Sequence, residues 1–186
     1  MVNEDFKDLL EQKSKEWKEQ PMLRPKIGAL KINMSLGIAG DPLNRGMKIL
    51  ENITGQKPVE TYAKNTWRKW GIRKGQAVGA KVTIRGQEAY ELLMKFLHAK
   101  GYKIRRTAFD NQGNFNFGIT EHIDIPGQKY EPGMGIVGFN VGVQMERAGY
   151  RVKQRKYLRN KIPAHHLVSP EDSIAFLIQN YDIEIE

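Results

Sequence analysis

The sequence predicts an α+β fold: an antiparallel sheet of about four main strands with helices packed on one face. Three observations predict it. The first is period-two alternation. Leu30, Ile32, Met34 and Leu36 alternate with Lys31, Asn33 and Ser35; Val82 and Ile84 with Lys81, Thr83 and Arg85; Phe139, Val141, Val143 and Met145 with Gly138, Asn140, Gly142 and Gln144. The second is helical periodicity between these runs, with Leu43, Met47, Leu50 and Ile53 on one face and Leu92, Leu93, Phe96 and Leu97 on another. The third is that each strand has only one apolar face. Helices therefore cover one side of the sheet, and the other side is left open. That open side collects Lys31, Asn33, Ser35, Lys81, Thr83, Arg85, Asn140 and Gln144. Cations, amides and bare glycine backbone suit an RNA surface better than a catalytic pocket. The competing reading is a plain solvated sheet face.

In chain order, residues 4–19 predict a helix with Phe6, Leu9, Leu10 and Trp17 inward. Its charges match the helix dipole: Glu4, Asp5 and Asp8 at the start, Lys13, Lys15 and Lys18 toward the end. Pro21 stops it. Ile27 to Leu36 is the first strand. Asp41-Pro42 reads as an N-cap and first helical residue, and Gly55 as the C-terminal cap. Pro58 to Ala63 and Gly79 to Gly86 are strands flanking a loop. Gln87 to Ala99 is a helix, with His98 at its end. Tyr102 to Ala108 is extended and basic, and Asp110 to Asn114 is a turn. Phe115 and Phe117 mark a short strand or ordered loop, and Ile119 to Ile125 a further strand or turn. Gly127 to Gly135 is loop, and Ile136 to Met145 is the clearest strand. Ser169-Pro170-Glu171-Asp172 opens the last helix. We divide the chain as one domain over 1–186. It has an N-terminal helix in 1–20, a basic loop in 63–79, a basic arm in 147–168, and a C-terminal helix and tail in 169–186.

The formal net charge of +9 is unevenly placed. Residues 1–20 carry a net −2 and residues 169–186 a net −5, which leaves +16 on residues 21–168. A cationic body between acidic ends points to a polyanion, with nucleic acid ahead of membrane because no cationic amphipathic helix is present. Cysteine is absent, which removes disulfides, thiol catalysis and thiolate metal sites. No apolar run is long enough for a transmembrane helix, and the N-terminus lacks an apolar signal region, so we expect a cytoplasmic protein.

Lys64 to Gln76 holds Lys64, Arg68, Lys69, Arg73 and Lys74 with Trp67, Trp70 and Gly71, and no acid. It has neither helical nor strand period and reads as a long loop. Its cations suit phosphates and its rings suit bases. Alternatively, the tryptophans pin the loop to the core. Gly149 to Lys161 carries Arg151, Lys153, Arg155, Lys156, Arg159 and Lys161. It reads either as the start of a strand or as an arm that orders on a partner.

Other motifs carry no chemistry. Gly133-Met134-Gly135-Ile136-Val137-Gly138 matches G-x-G-x-x-G, but a loop precedes it and a strand follows, the wrong context for a dinucleotide. His165-His166 reads as a surface pair. His122 with Glu121 and Asp124 lacks metal-site spacing. No nucleophile elbow or phosphate loop is found, so we expect no enzyme, no metal and no cofactor.

Four blocks, in order, resemble a known family: Lys31-Ile32-Asn33-Met34; Ile53-Thr54-Gly55-Gln56-Lys57-Pro58; Gly71-Ile72-Arg73-Lys74-Gly75; and Gly79-Ala80-Lys81-Val82-Thr83-Ile84-Arg85-Gly86. The family is the universal large-subunit ribosomal protein that binds 5S ribosomal RNA, numbered five in the bacterial scheme and eleven in the eukaryotic. Phe115 to Ile119, Glu121-His122 and Ile125-Pro126 fit a later segment of it. The resemblance implies a structural role in the central protuberance, with 5S RNA on the sheet face. It implies RNA contacts by Lys31, Asn33, Gln56, Lys57, Thr61, Lys81, Thr83 and Arg85, and a loop from Trp67 to Gly75 that faces the P-site tRNA. Large-subunit ribosomal RNA and neighbouring ribosomal proteins are the other implied partners, with a bridge to the small subunit and no membrane. Bacterial members commonly have phenylalanine-lysine-isoleucine-arginine-glutamate-glycine where this chain has Trp70 to Gly75. They also lack a counterpart of Arg147 to Lys161, so the chain looks archaeal or eukaryotic in type. The alternative is a free-standing, non-specific RNA-binding protein or RNA chaperone. An RNA-processing enzyme using His165, His166 or Asp110 is disfavoured, because no convergent acid–base set is present.

Overall fold

The computed structural model describes residues 6–37, 40–128 and 135–186. Glu4 and Asp5 at the expected helix start, Gly133 and Met134 of the glycine motif, and much of the 127–135 loop lie outside the described residues. The helices are α1 (Lys7–Glu19), α2 (Asp41–Thr54), α3 (Gln87–Ala99), α4 (Arg151–Gln154) and α5 (Pro170–Tyr181). The strands are β1 (Lys26–Ser35), β2 (Val59–Tyr62), β3 (Ala77–Ile84), β4 (Lys103–Ile104), β5 (Phe115–Ile119), β6 (Phe139–Glu146) and β7 (Glu184–Ile185). Five strands form an antiparallel sheet in the order β2-β3-β1-β6-β5. The fifth, β5, is the short run around Phe115 and Phe117.

The chain divides into two compact units: residues 30–100 with 117–142, and 1–29 with 101–116 and 143–186. In the first, Ile32, Met34, Ile84 and Val141 are fully buried with Leu50, Leu93, Phe96 and Leu97 of the helices. Helix α2 packs on β3. Phe96 of α3 meets Phe139 edge to face at 5.7 Å. Gly46 lets α2 approach β1, since a Cβ there would lie 2.8 Å from Met34 Sδ. The cap of α2 differs from expectation. Gly40, at φ 97°, is the N-cap, and Asp41 is already helical. Gly55 closes the helix in the left-handed conformation, its N–H donating to the Glu51 carbonyl at 2.7 Å.

In the second unit α1 packs on α5, and Trp17 is buried. Ser169 and Asp172 form a reciprocal capping box at the start of α5. The expected extended run 102–108 is instead the two-residue β4 followed by a 3₁₀ turn over Arg106–Ala108. The acidic tail is not free. Its last residues form β7, parallel to β4, and Lys103 Nζ lies 3.6 Å from Glu184 and 3.7 Å from Glu186.

The Asp110 turn leads into β5 as expected, with Asp110 Oδ1 accepting from the Gln112 and Asn114 N–H groups at 2.8 Å. Gly113 is the residue this turn depends on. Its φ is 70°, and an added Cβ would fall on the Ser173 hydroxyl, 2.7 Å from Val168 Cγ1 and 2.9 Å from the Ser169 carbonyl. Gly113→Ala should therefore cost at least the ~1–2 kcal/mol of a left-handed L-residue, plus overlap. Urea denaturation at neutral pH checks this, and a loss below about 0.5 kcal/mol would show that the turn relaxes freely.

Candidate nucleic-acid interface

The open face of the sheet follows from register. On β1, Lys31, Asn33 and Ser35 are exposed while Ile32 and Met34 are buried; on β3, Lys81 and Thr83 are exposed while Val82 and Ile84 are buried. Residues directly opposite across an antiparallel pair share a face. Lys31 lies opposite Thr83, Asn33 opposite Lys81 and Ser35 opposite Gly79. From the edge strand, Val59 lies opposite Lys81 and Thr61 opposite Gly79. Lys81 is thus flanked by Asn33 on one side and Val59 on the other, and Arg85 follows at the strand end. Gly79 keeps the centre flat. A Cβ there would run into the Met34 carbonyl and lie 3.0 Å from Thr61 Oγ1. Asn140 is exposed on β6 beside Gly118 of β5, whose Cβ position lies 3.3 Å from Asn140 Oδ1.

Two expected contacts sit differently. The Gln56 amide donates to Glu88 Oε2 at 3.0 Å, so its nitrogen is held by a carboxylate. Its neighbour Lys57 is exposed. Gln144 donates to Glu146 Oε1 at 2.8 Å and belongs to the other unit.

The basic loop is a hydrogen-bonded finger, not an irregular loop. Ala63 N–H donates to Gln76 O, and Gly75 N–H to Ala63 O, both at 2.9 Å, extending the β2–β3 hairpin. Trp67 and Ile72 exchange backbone hydrogen bonds at 2.8 and 3.2 Å. A 3₁₀ turn over Arg68–Trp70, closed by Gly71 at φ 67°, forms the tip. Lys74 N–H donates to Thr66 Oγ1, which braces the base of the tip. The tryptophans do not pin the finger to the core. Trp67 is 53% exposed and Trp70 65%, with ring centroids 5.4 Å apart. Lys64, Arg68, Lys69, Arg73 and Lys74 are all exposed around them. A shallow groove of about 510 Å³ at the tip is lined by Thr66, Arg68, Gly71, Ile72, Arg73 and Lys74. The finger therefore offers two adjacent aromatic faces inside a ring of cations.

The basic arm is not a strand. Arg151 to Gln154 form α4, so the alternation of Arg151, Lys153 and Arg155 with Val152 and Gln154 does not mark extended chain. The root is anchored by Tyr150, which is buried; its hydroxyl accepts from the Val168 N–H at 3.0 Å. His166 Nε2 lies 2.8 Å from the Ala148 carbonyl, so one member of the histidine pair is a structural clasp while His165 is exposed. Arg151, Arg155, Lys156, Arg159 and Lys161 are exposed and Lys153 is half-buried, its ammonium 4.5 Å over the Tyr150 ring. Sequence reasoning also missed that Arg147, the first cation of this run, is buried. Its Nη2 pairs with Asp172 Oδ2 at 2.6 Å.

The remaining motifs take structural roles. The glycine motif opens into β6 and not into a helix, which removes the phosphate-binding helix N-terminus a dinucleotide needs. His122 is buried, and its Nδ1 accepts from the Val137 N–H at 3.4 Å. Among the described residues no group of three or more His, Asp or Glu could hold a metal ion.

Residues 77–176 match the C-terminus of the ribosomal L5 family, and residues 20–73 match ribosomal protein L5 itself. Curated relatives named large ribosomal subunit protein uL5 are 45% identical to the chain. Those of Methanococcus maripaludis (strain C5) and Methanococcus vannielii align over 172 residues, 91% of this chain and 95% of the relative. That of Methanococcus aeolicus aligns over 173 residues, 91% of this chain and 96% of the relative.

Proposed function

The chain belongs to the ribosomal protein L5 family, and from that premise we propose how it acts. It is a structural, non-enzymatic constituent of the large ribosomal subunit, working in the cytoplasm. We propose that its open sheet face binds 5S ribosomal RNA and helps attach that RNA in the central protuberance. The finger 63–76 reaches the P-site tRNA. Contacts to large-subunit RNA, to neighbouring ribosomal proteins and across to the small subunit belong to the same reading.

One observation supports the sheet face above all: Lys31, Asn33, Lys81 and Thr83 come into register on the side away from the helices, around a glycine that keeps the surface flat. A-form RNA presents phosphates and 2′-hydroxyls on a broad, shallow surface, which is read by shape. A flat sheet matches that geometry. Lys31, Lys57, Lys81 and Arg85 would neutralise phosphates, and Asn33, Thr61, Thr83 and Asn140 carry donors and acceptors for hydroxyls.

The first test is a titration against 5S RNA and a size-matched unrelated RNA at about 0.15 M salt. A hundredfold preference corresponds to about 2.7 kcal/mol and is the expected result. Equal affinity would make the chain a non-specific RNA binder or chaperone instead. Lys81→Gln and Arg85→Gln should each weaken 5S binding and reduce the salt slope by about 0.9 per lost duplex phosphate contact. Unchanged slopes in both would remove the sheet face from the interface.

A further inference from the structure

The turn at the end of the basic arm has features that a solvated charge run does not need. Tyr157 is 76% exposed and Leu158 85%, the two most exposed large apolar side chains among the described residues. Leu158 has φ 51°, in the left-handed region that L-residues with a Cβ avoid. The turn is held by its own chain. Arg155 donates from Nε and Nη2 to the Leu158 carbonyl at 2.9 and 2.7 Å, and Asn160 N–H donates to the Val152 carbonyl at 3.3 Å. Strained backbone that presents apolar side chains to solvent points from the outlier toward a function.

The surroundings select the partner. No Asp or Glu occurs between Glu146 and Glu171. Beneath the turn an open groove of about 660 Å³ is lined by Gln112, Lys153, Arg159, Asn160 and Lys161. Lys156 Nζ lies 5.6 Å over the Tyr157 ring. A protein partner would have to bury these cations against its own acids while accepting two apolar tips. An unpaired nucleotide brings a flat base and a phosphate together, which matches a ring beside a cationic groove.

We propose that the turn 155–161 is a second RNA-binding element, independent of the sheet face and finger. Tyr157 stacks on an unpaired base, Leu158 wedges beside it, and Lys153, Arg159 and Lys161 hold the flanking phosphates. Arg155 is a positioning residue and not a phosphate contact, because two of its nitrogens are committed to the Leu158 carbonyl. For the class of ligand alone, this inference rests on the reading of the chain as a ribosomal RNA binder.

The test uses the full chain carrying Trp67→Ala and Trp70→Ala, so that finger stacking does not contribute. The probe is a single-stranded RNA of about eight nucleotides containing one 2-aminopurine. Tyr157→Ala should lower affinity about tenfold and abolish quenching of the probe, while Tyr157→Phe keeps both. Arg159→Gln and Lys161→Gln should each reduce the salt slope by about 0.7, the single-strand value. Leu158→Gly should weaken binding while the melting temperature holds or rises, since glycine accepts this φ. Unchanged affinity and quenching in Tyr157→Ala would overturn the proposal and leave the tip to a protein contact. An equal loss in Tyr157→Phe would overturn stacking. Lys81→Gln, which tests the sheet face on 5S RNA, should leave this titration unmoved, so the two readings fail separately.

Discussion

Asp172→Ala should cost about 3–5 kcal/mol of stability, the largest single-site loss we expect outside the apolar core. Asp172 is almost fully buried, and four groups converge on it. Arg147 Nη2 lies 2.6 Å from Oδ2, Lys13 Nζ 3.0 Å from Oδ1, and the Ser169 N–H and hydroxyl donate to Oδ2 at 3.0 and 2.8 Å. The carboxylate thus ties α1, the segment after β6 and the N-terminus of α5. Removing it strands the Arg147 guanidinium, only 4% exposed, and dismantles the capping box. The cost comes mostly from that orphaned cation. The double variant Arg147→Met with Asp172→Leu should therefore recover most of it, while Lys13, partly exposed, turns to water. Urea melts of the three proteins decide: a loss below about 1 kcal/mol for Asp172→Ala would mean the cluster relaxes without penalty.

The same carboxyl sets an acid limb. Burial alone pushes its pKa up, but the Ser169 N–H, Lys13, the Ser169 hydroxyl and Arg147 outweigh burial and hold it below the usual carboxylate value. A group depressed in the folded state contributes fully above its unfolded pKa of about 3.9 and loses that contribution as pH falls through the folded value. Stability from this source should be level from neutral to about pH 5 and decline below about pH 4. Asp172→Asn should be less stable at neutral pH and show a shallower acid decline. An identical acid limb in both proteins would assign it to other carboxylates.

The elements that the sequence made legible are those whose signal is local. The alternation in β1, β3 and β6, the apolar faces of α2 and α3, Gly55 and the Ser169 cap are each written within a few adjacent residues. The finger was not legible as a hairpin extension. Its pairing of Trp67 with Ile72 rests on backbone bonds and one left-handed glycine, which leave no period in side-chain type. Helix α4 was hidden because alternate cations over four residues mimic a strand, and one turn is too short for helical period to show. The pairing of β7 with β4 is non-local and only two residues long. Burial of Arg147 could not be read inside a run of cations; the available signal was Asp172, whose capping position marks it as a carboxylate held at a helix start. On the sheet face, alternation identified the side of Lys31, Asn33, Lys81 and Thr83 correctly. That Glu88 holds Gln56 depends on two residues 32 apart in the chain, and no local pattern announces it.

Trp67→Ala with Trp70→Ala should separate two functions of the chain. Each ring stacked on a base contributes about 1–3 kcal/mol, so losing both should weaken binding to a tRNA elbow at least thirtyfold. Stability should change little, since both rings are more than half exposed and their mutual contact is worth only about 0.5–1.5 kcal/mol. The backbone bonds of the finger do not involve either indole, so the tip turn should persist in the variant. Binding to 5S RNA should stay within about twofold, because Lys31, Lys81 and Arg85 are untouched. Trp70→Phe, which keeps a stacking face, should retain most tRNA affinity, whereas loss of charge at Lys69 or Arg73 should act through the salt slope. The rings meet at 5.4 Å, so their contributions share a surface, and the double variant should fall short of the sum of the singles. Loss of 5S binding by the double variant, with circular dichroism and melting temperature intact, would move the 5S site onto the finger and sink the proposed division between finger and sheet face.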